Sequence, residues 1–172
     1  MNVLSRAEAD CTMDNQYELD HLTMIQTLER MKPESYFKFA IVRHPMERLI
    51  SEYRFSKKYR PYLPDSEHFT FAEYVQAIAQ LPIDLMPHMM ANHLYTQTKF
   101  LYDKDELLVD YVGRFEAMTY AIKFVSQKLQ KDLPELPHLN KSICDEETIA
   151  CDTQTKLLVR QMYAEDYKRF GY

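Results

Sequence analysis

A chain of 172 residues, 46% hydrophobic and 27% charged, is long enough for one ordinary domain with a core and too short for two large ones. No apolar run approaches the roughly 20 residues needed to span a bilayer, and a net charge of −5 argues against a general nucleic-acid binder, which needs many clustered Lys and Arg. The only glycines are Gly113 and Gly171, so no phosphate-cradling loop of the GxxxxGK[ST] or GxGxxG type exists in this sequence.

Residues 1–19 are polar and aperiodic and read as a loosely ordered segment, and MNVLSRAEADCTMDNQYELD lacks the apolar block of a secretory signal. A single domain is expected over 20–172. From Asp20, a capping residue, Leu22, Ile25, Leu28 and Met31 recur at helical spacing until Pro33. YFKFAIV (36–42), aromatic and β-branched, is the clearest strand and is expected to be buried and central. Pro45 suits the first turn of a helix running to about Lys58, YRPYLPD is a loop, and FTFAEYVQAIAQL (69–81) is a second amphipathic helix. Residues 82–105 read as irregular, LLVDYVGRFE (107–116) as a second strand, and about 118–131 as a helix. LPELPHLNKS (133–142) is a loop, and Asp152 or Thr153 opens a last helix that Gly171 ends. This order predicts a helix-rich α/β layer with few strands. Cys11, Cys144 and Cys151 are odd in number and not closely spaced, which fits free thiols in a reducing compartment.

The passage from strand to helix carries the functional signal. At about 100° per residue, positions 44, 47, 48, 51 and 55 share one helix face, while Met46, Leu49, Ile50 and Tyr53 share the opposite one. Arg43 then stands at the carboxyl end of the strand, where open α/β sheets gather ligands. A guanidinium grips a phosphate with paired charge-assisted bonds and a hydroxyl adds a directional donor, so Arg43 and Ser51 are candidates to hold one phosphate between them. The residues alone equally allow Arg43 to pair with a neighbouring Glu and Ser51 to face solvent. His44 either caps the helix or lines a ligand site. His88 and His93 are structural or face an acceptor, Glu116 pairs with Arg114 or a neighbouring helix, and the basic run of Lys57, Lys58 and Arg60 is a solvated helix end or an anion contact.

YFKFAIVRHPMERLISEYRF resembles the 3′-phosphate-binding strand and helix of the sulfotransferases that use 3′-phosphoadenosine 5′-phosphosulfate (PAPS), in the group that contains the carbohydrate and the uronyl or heparan 2-O-sulfotransferases. The pattern is Arg, Pro two residues on, Arg five on, Ser eight on and Tyr ten on, met by Arg43, Pro45, Arg48, Ser51 and Tyr53. DHLT, LVDYVGRFE, LPHLNKS and YAEDYKRFGY fit the same family in order, so the resemblance covers 20–172. It implies a P-loop-NTPase-like sulfotransferase fold and sulfuryl transfer from PAPS to a carbohydrate-type hydroxyl, without a metal. By the same likeness Arg43 and Ser51 bind the 3′-phosphate of PAPS or of its product PAP, Lys141 and Ser142 of HLNKS touch the cofactor, and His21 of LDHLT is the catalytic base. Without the resemblance, His21 is a helix-start histidine and HLNKS a solvated loop.

The family also carries an N-terminal strand, a P-K-T-G-T-S-type loop and a helix that cradle the 5′-phosphosulfate, and nothing before His21 fits them. The fold is therefore expected to be incomplete, through truncation, through a partner or second copy that completes it, or in a member that no longer transfers sulfate. The alternative is a non-catalytic interaction module on the same fold. The expected compartment is the cytoplasm for the chain as given, or the Golgi lumen for a fragment of a eukaryotic enzyme.

Overall fold

The computed structural model describes residues 22–31, 36–59, 68–86, 88–134 and 149–172. In chain order these form α1 (Met24–Met31), β1 (Phe39–Val42), α2 (Pro45–Tyr59), α3 (Phe71–Ala79), α4 (His88–Leu94), α5 (Gln97–Leu101), β2 (Tyr102–Asp103), β3 (Glu106–Leu107), β4 (Tyr111–Arg114), α6 (Met118–Leu129), α7 (Thr153–Met162) and α8 (Ala164–Phe170). β1 runs parallel to β4, with Phe39 opposite Tyr111 and Val42 opposite Arg114, and β2 and β3 form a separate antiparallel pair. Parallel neighbours require a long crossover, and here it contains α2 to α5. The result is a helix-rich α/β structure with a small parallel sheet.

Local chemistry sets the helix starts. Thr23 and Gln26 cap α1 reciprocally: the Thr23 N–H donates to Gln26 Oε1 at 2.9 Å and the Gln26 N–H to Thr23 Oγ1 at 3.3 Å. Thr70 and Glu73 make the same capping box at α3, and the Asp152 carboxylate takes the Thr155 N–H at the start of α7. At α2, Pro45 occupies the first turn, where its missing N–H costs nothing, and His44 Nδ1 accepts the Met46 N–H at 3.2 Å.

The apolar core lies among the helices. Leu49 and Tyr53, one turn apart on α2, pack with Phe71, Tyr74, Val75 and Ile78 of α3, with Leu94, and with Val159 and Tyr163. Each such side chain contributes about 1.5–3 kcal/mol by leaving water. On the sheet, α6 approaches β4 closely at Gly113, where a Cβ would come 2.7 Å from Ala121 Cβ and 2.7 Å from Ile41 Cδ1. Glycine is needed there for want of space.

Several boundaries differ from the sequence reading. Among the described residues β1 has one neighbour, so it is half-buried along Phe39–Ile41 and fully covered only at Val42, not a buried central strand. The second strand is confined to Tyr111–Arg114, because the residues before it turn back into the β2–β3 pair. The stretch 82–105, read as irregular, holds α4 and α5. The last helix breaks at Tyr163, whose backbone opens to φ −112° and ψ 28° while its hydroxyl donates to Leu94 O at 3.0 Å.

Candidate functional site

Arg43 leaves β1 at the carboxyl end of the sheet, and its peptide is clamped from both sides by Gln97. The Arg43 N–H donates to Gln97 Oε1 at 2.8 Å, and Gln97 Nε2 donates back to Arg43 O at 2.8 Å. Gln97 is itself fixed by Asp166 of α8: the Gln97 and Thr98 N–H groups each donate to that carboxylate at 2.8 Å, and the Thr98 hydroxyl at 2.7 Å. Asp166 is fully buried. A carboxylate so placed is tolerable only when its oxygens are met by donors. The guanidinium of Arg43 lies over the Phe115 ring, 4.8 Å from its centroid, and its Nη2 is 4.0 Å from Glu47 Oε2. An ion pair at that distance whose carboxylate is more than half exposed contributes about 0–1 kcal/mol, so it competes weakly with an incoming anion.

The second arginine of the motif is engaged elsewhere. Arg48 Nη1 donates to Tyr95 O at 2.7 Å, and Nη2 to His93 O at 3.1 Å and Asn92 O at 3.4 Å. These carbonyls end α4, where helical partners run out and a cation is favoured. Arg48 thus anchors α4 beside α2. Ser51 follows on the same face of α2, and Arg43, Arg48, Ser51, Glu52, Asn92 and His93 line one open cavity of about 220 Å³. It has the scale of a phosphate group with part of what carries it.

Glu52 and His93 were not joined by the sequence reading. Glu52 is 8% exposed, its Oε2 lies 2.8 Å from His93 Nδ1, and the His93 ring stacks on Phe55 at 5.9 Å and 9°. Taken alone, His93 is structural or faces an acceptor, and Glu52 carries no signal beyond adjacency to Ser51. Behind this pair sits Tyr163, whose pKa burial pushes up to about 12, with the Arg48 charge acting against that rise.

The other edge of the strand ends is tied to the C-terminal residues. Glu116 accepts the His44 N–H at 2.7 Å and the Tyr172 hydroxyl at 3.1 Å, and the rings of Tyr167 and Tyr172 meet His44 edge-on. Burial raises the Glu116 pKa, but the His44 N–H and the other hydrogen bonds outweigh it and hold the group below its usual range. Glu116 therefore serves the start of α2 and not Arg114. Arg114 Nη2 instead donates to Phe170 O at 2.6 Å and Gly171 O at 3.1 Å. Lys57 folds back onto Tyr53, its Nζ 3.2 Å from the hydroxyl.

Of the residues singled out from the sequence, Arg43 and Ser51 are brought together in the cavity. His21, Lys141 and Ser142 lie outside the described residues. Among the described residues no group of His, Cys, Asp and Glu is arranged to hold a metal ion, and no helix is long and apolar enough to cross a membrane. No curated protein and no solved structure matches the chain. The model of the sulfotransferase family does, over residues 1–172, and the chain belongs to that family.

Proposed function

We propose that this protein transfers a sulfuryl group from PAPS to a carbohydrate-type hydroxyl, with Arg43 and Ser51 holding the 3′-phosphate of the donor. The observation that carries the reading is the shared cavity: a guanidinium at the carboxyl end of a parallel strand and a hydroxyl on the next helix line one open space with room for a phosphate group. Family membership supports sulfuryl transfer as the reaction class. PAPS supplies an activated sulfuryl group; its SO3 unit passes to the acceptor oxygen, and the acceptor's proton must go to a base. His21 is our assignment for that base, since imidazole is suited to accept a proton near neutrality. Lys141 and Ser142 are assigned to the bound nucleotide.

The fold in this reading is P-loop-NTPase-like, and the loop for the 5′-phosphosulfate, for which residues 1–20 carry no motif, belongs to a preceding segment or a partner chain. The compartment follows that choice, the cytoplasm for the chain alone or the Golgi lumen for part of a longer eukaryotic enzyme. The test is calorimetric titration of PAP into the parent chain and into Arg43→Ala. Binding by the parent, weakened at least about tenfold in the variant, is expected for loss of a bidentate phosphate contact. No binding by the parent overturns the reading and favours an interaction module.

A further inference from the structure

Arg43 lies between the end of β1 and the start of α2, outside both elements, yet the two peptide groups that flank its Cα are held, and by side chains. In the first, the Arg43 N–H donates to Gln97 Oε1 at 2.8 Å, and the Tyr172 hydroxyl lies 3.4 Å from Val42 O. In the second, Arg43 O accepts Gln97 Nε2 at 2.8 Å, and the His44 N–H donates to Glu116 Oε1 at 2.7 Å. A peptide group is planar, so holding the one on each side of Cα sets φ and ψ, and with them the direction of the Cα–Cβ bond. Gln97 alone contributes to both planes. Its amide does at Arg43 what a neighbouring strand does in a ladder, meeting an N–H and a C=O of the chain.

Gln97 itself has little freedom. Its backbone N–H donates to the buried Asp166 carboxylate at 2.8 Å, and its Nε2 lies 3.5 Å from the same group. Farther out, the Arg43 side chain ends over Phe115, with the guanidinium 4.8 Å from the ring centroid. We propose that Gln97 is a positioning residue: it presets the Arg43 backbone so that the guanidinium meets the 3′-phosphate in one register, and it thereby sets the preference for a nucleotide that carries this group. The inference rests on the proposed function for the identity of the ligand. A ligand that meets a preset group does not have to order it, so less of the contact is spent on lost freedom. Adenosine 5′-phosphate lacks the group that Arg43 holds, so the benefit falls on PAP.

The test is titration of PAP and of adenosine 5′-phosphate into the parent chain, Gln97→Met and Val75→Ala. Met keeps the length of Gln97 and its backbone bond to Asp166 but removes the amide. Val75→Ala is the control: it opens a void in the helical core and lowers stability. The preference for PAP should fall about tenfold in Gln97→Met, with adenosine 5′-phosphate bound as in the parent, and should stay at the parent value in Val75→Ala. An unchanged preference in Gln97→Met, or an equal fall in both variants, overturns this inference and leaves the proposed function standing. Amide NMR of the parent chain reads the frame without any variant: the Arg43 N–H should exchange slowly with solvent before PAP is added. An Arg43 amide that exchanges as freely as an exposed one overturns the inference even if Gln97→Met does not fold. Absence of PAP binding by the parent chain overturns both readings.

Discussion

Asp166 ties the fold to the site, and its replacement by Ala has a calculable cost. The carboxylate accepts two backbone N–H groups at 2.8 Å and a hydroxyl at 2.7 Å, all at the start of α5. Hydrogen bonds to a charged group contribute about 1.5–3 kcal/mol each, and a buried donor left without a partner costs about 1–3 kcal/mol. The Thr98 hydroxyl can rotate and water can enter the space left behind, so the sum overstates the loss; about 3–5 kcal/mol is expected. Against a total of about 5–15 kcal/mol that is a large share, and it corresponds to a fall in Tm of about 6–20 °C for a domain of this size. Asp166→Asn keeps the shape and one acceptor oxygen, and should cost about half as much. Urea unfolding of parent and variants measures the loss. Because Gln97 carries the constraint from Asp166 to the Arg43 peptide, the folded variants should also bind PAP more weakly. A loss below about 1 kcal/mol for Asp166→Ala would refute the reasoning, since it would mean those donors have other partners.

Other substitutions test separate parts of the account. Gly113→Ala inserts a methyl against Ala121 and Ile41, and thermal unfolding should show a loss of about 1–3 kcal/mol from overpacking; an unchanged Tm would mean α6 can shift freely. Tyr74 is wholly buried, and among the described residues neither its hydroxyl nor Ser56 Oγ makes a hydrogen bond of good geometry, although the two groups are close enough to influence each other. Tyr74→Phe should therefore be neutral or stabilising by about 1 kcal/mol, and a loss above about 2 kcal/mol would contradict the absence of a partner. Glu116 has a folded pKa below its reference of 4.5, so its contribution is fully present above that value and is lost as pH falls through the lower folded pKa. Acid titration of stability should accordingly show the advantage of the parent over Glu116→Gln shrinking below about pH 4.5; an advantage that persisted into strong acid would exclude the carboxylate as its source.

What the sequence disclosed was local. The period of α2 separated Arg48 and Ser51 from Leu49 and Tyr53, and the structure puts the first pair on the cavity and the second in the core. Likewise the flanking Pro45 marks the start of α2. What stayed hidden depends on partners distant in sequence. α5 is five residues long and too short to be stable alone; it is secured by a carboxylate 68 positions away, which no local pattern encodes. The Glu52–His93 pair joins positions 41 apart, and each residue taken singly reads as an ordinary polar side chain. Gly113 falls inside the stretch read as the second strand, but the reason for a glycine there, the approach of Ala121, exists only after α6 packs.

The account's central claim is that the cavity beside Arg43 and Ser51 receives a 3′-phosphate, and competition between PAP and adenosine 5′-phosphate tests it most directly. The two ligands differ only in that phosphate. The parent chain should prefer PAP by at least about tenfold, and the preference should largely vanish in Arg43→Ala and shrink in Ser51→Ala. Equal affinities in the parent, or a preference for PAP that survives both substitutions, would contradict the assignment.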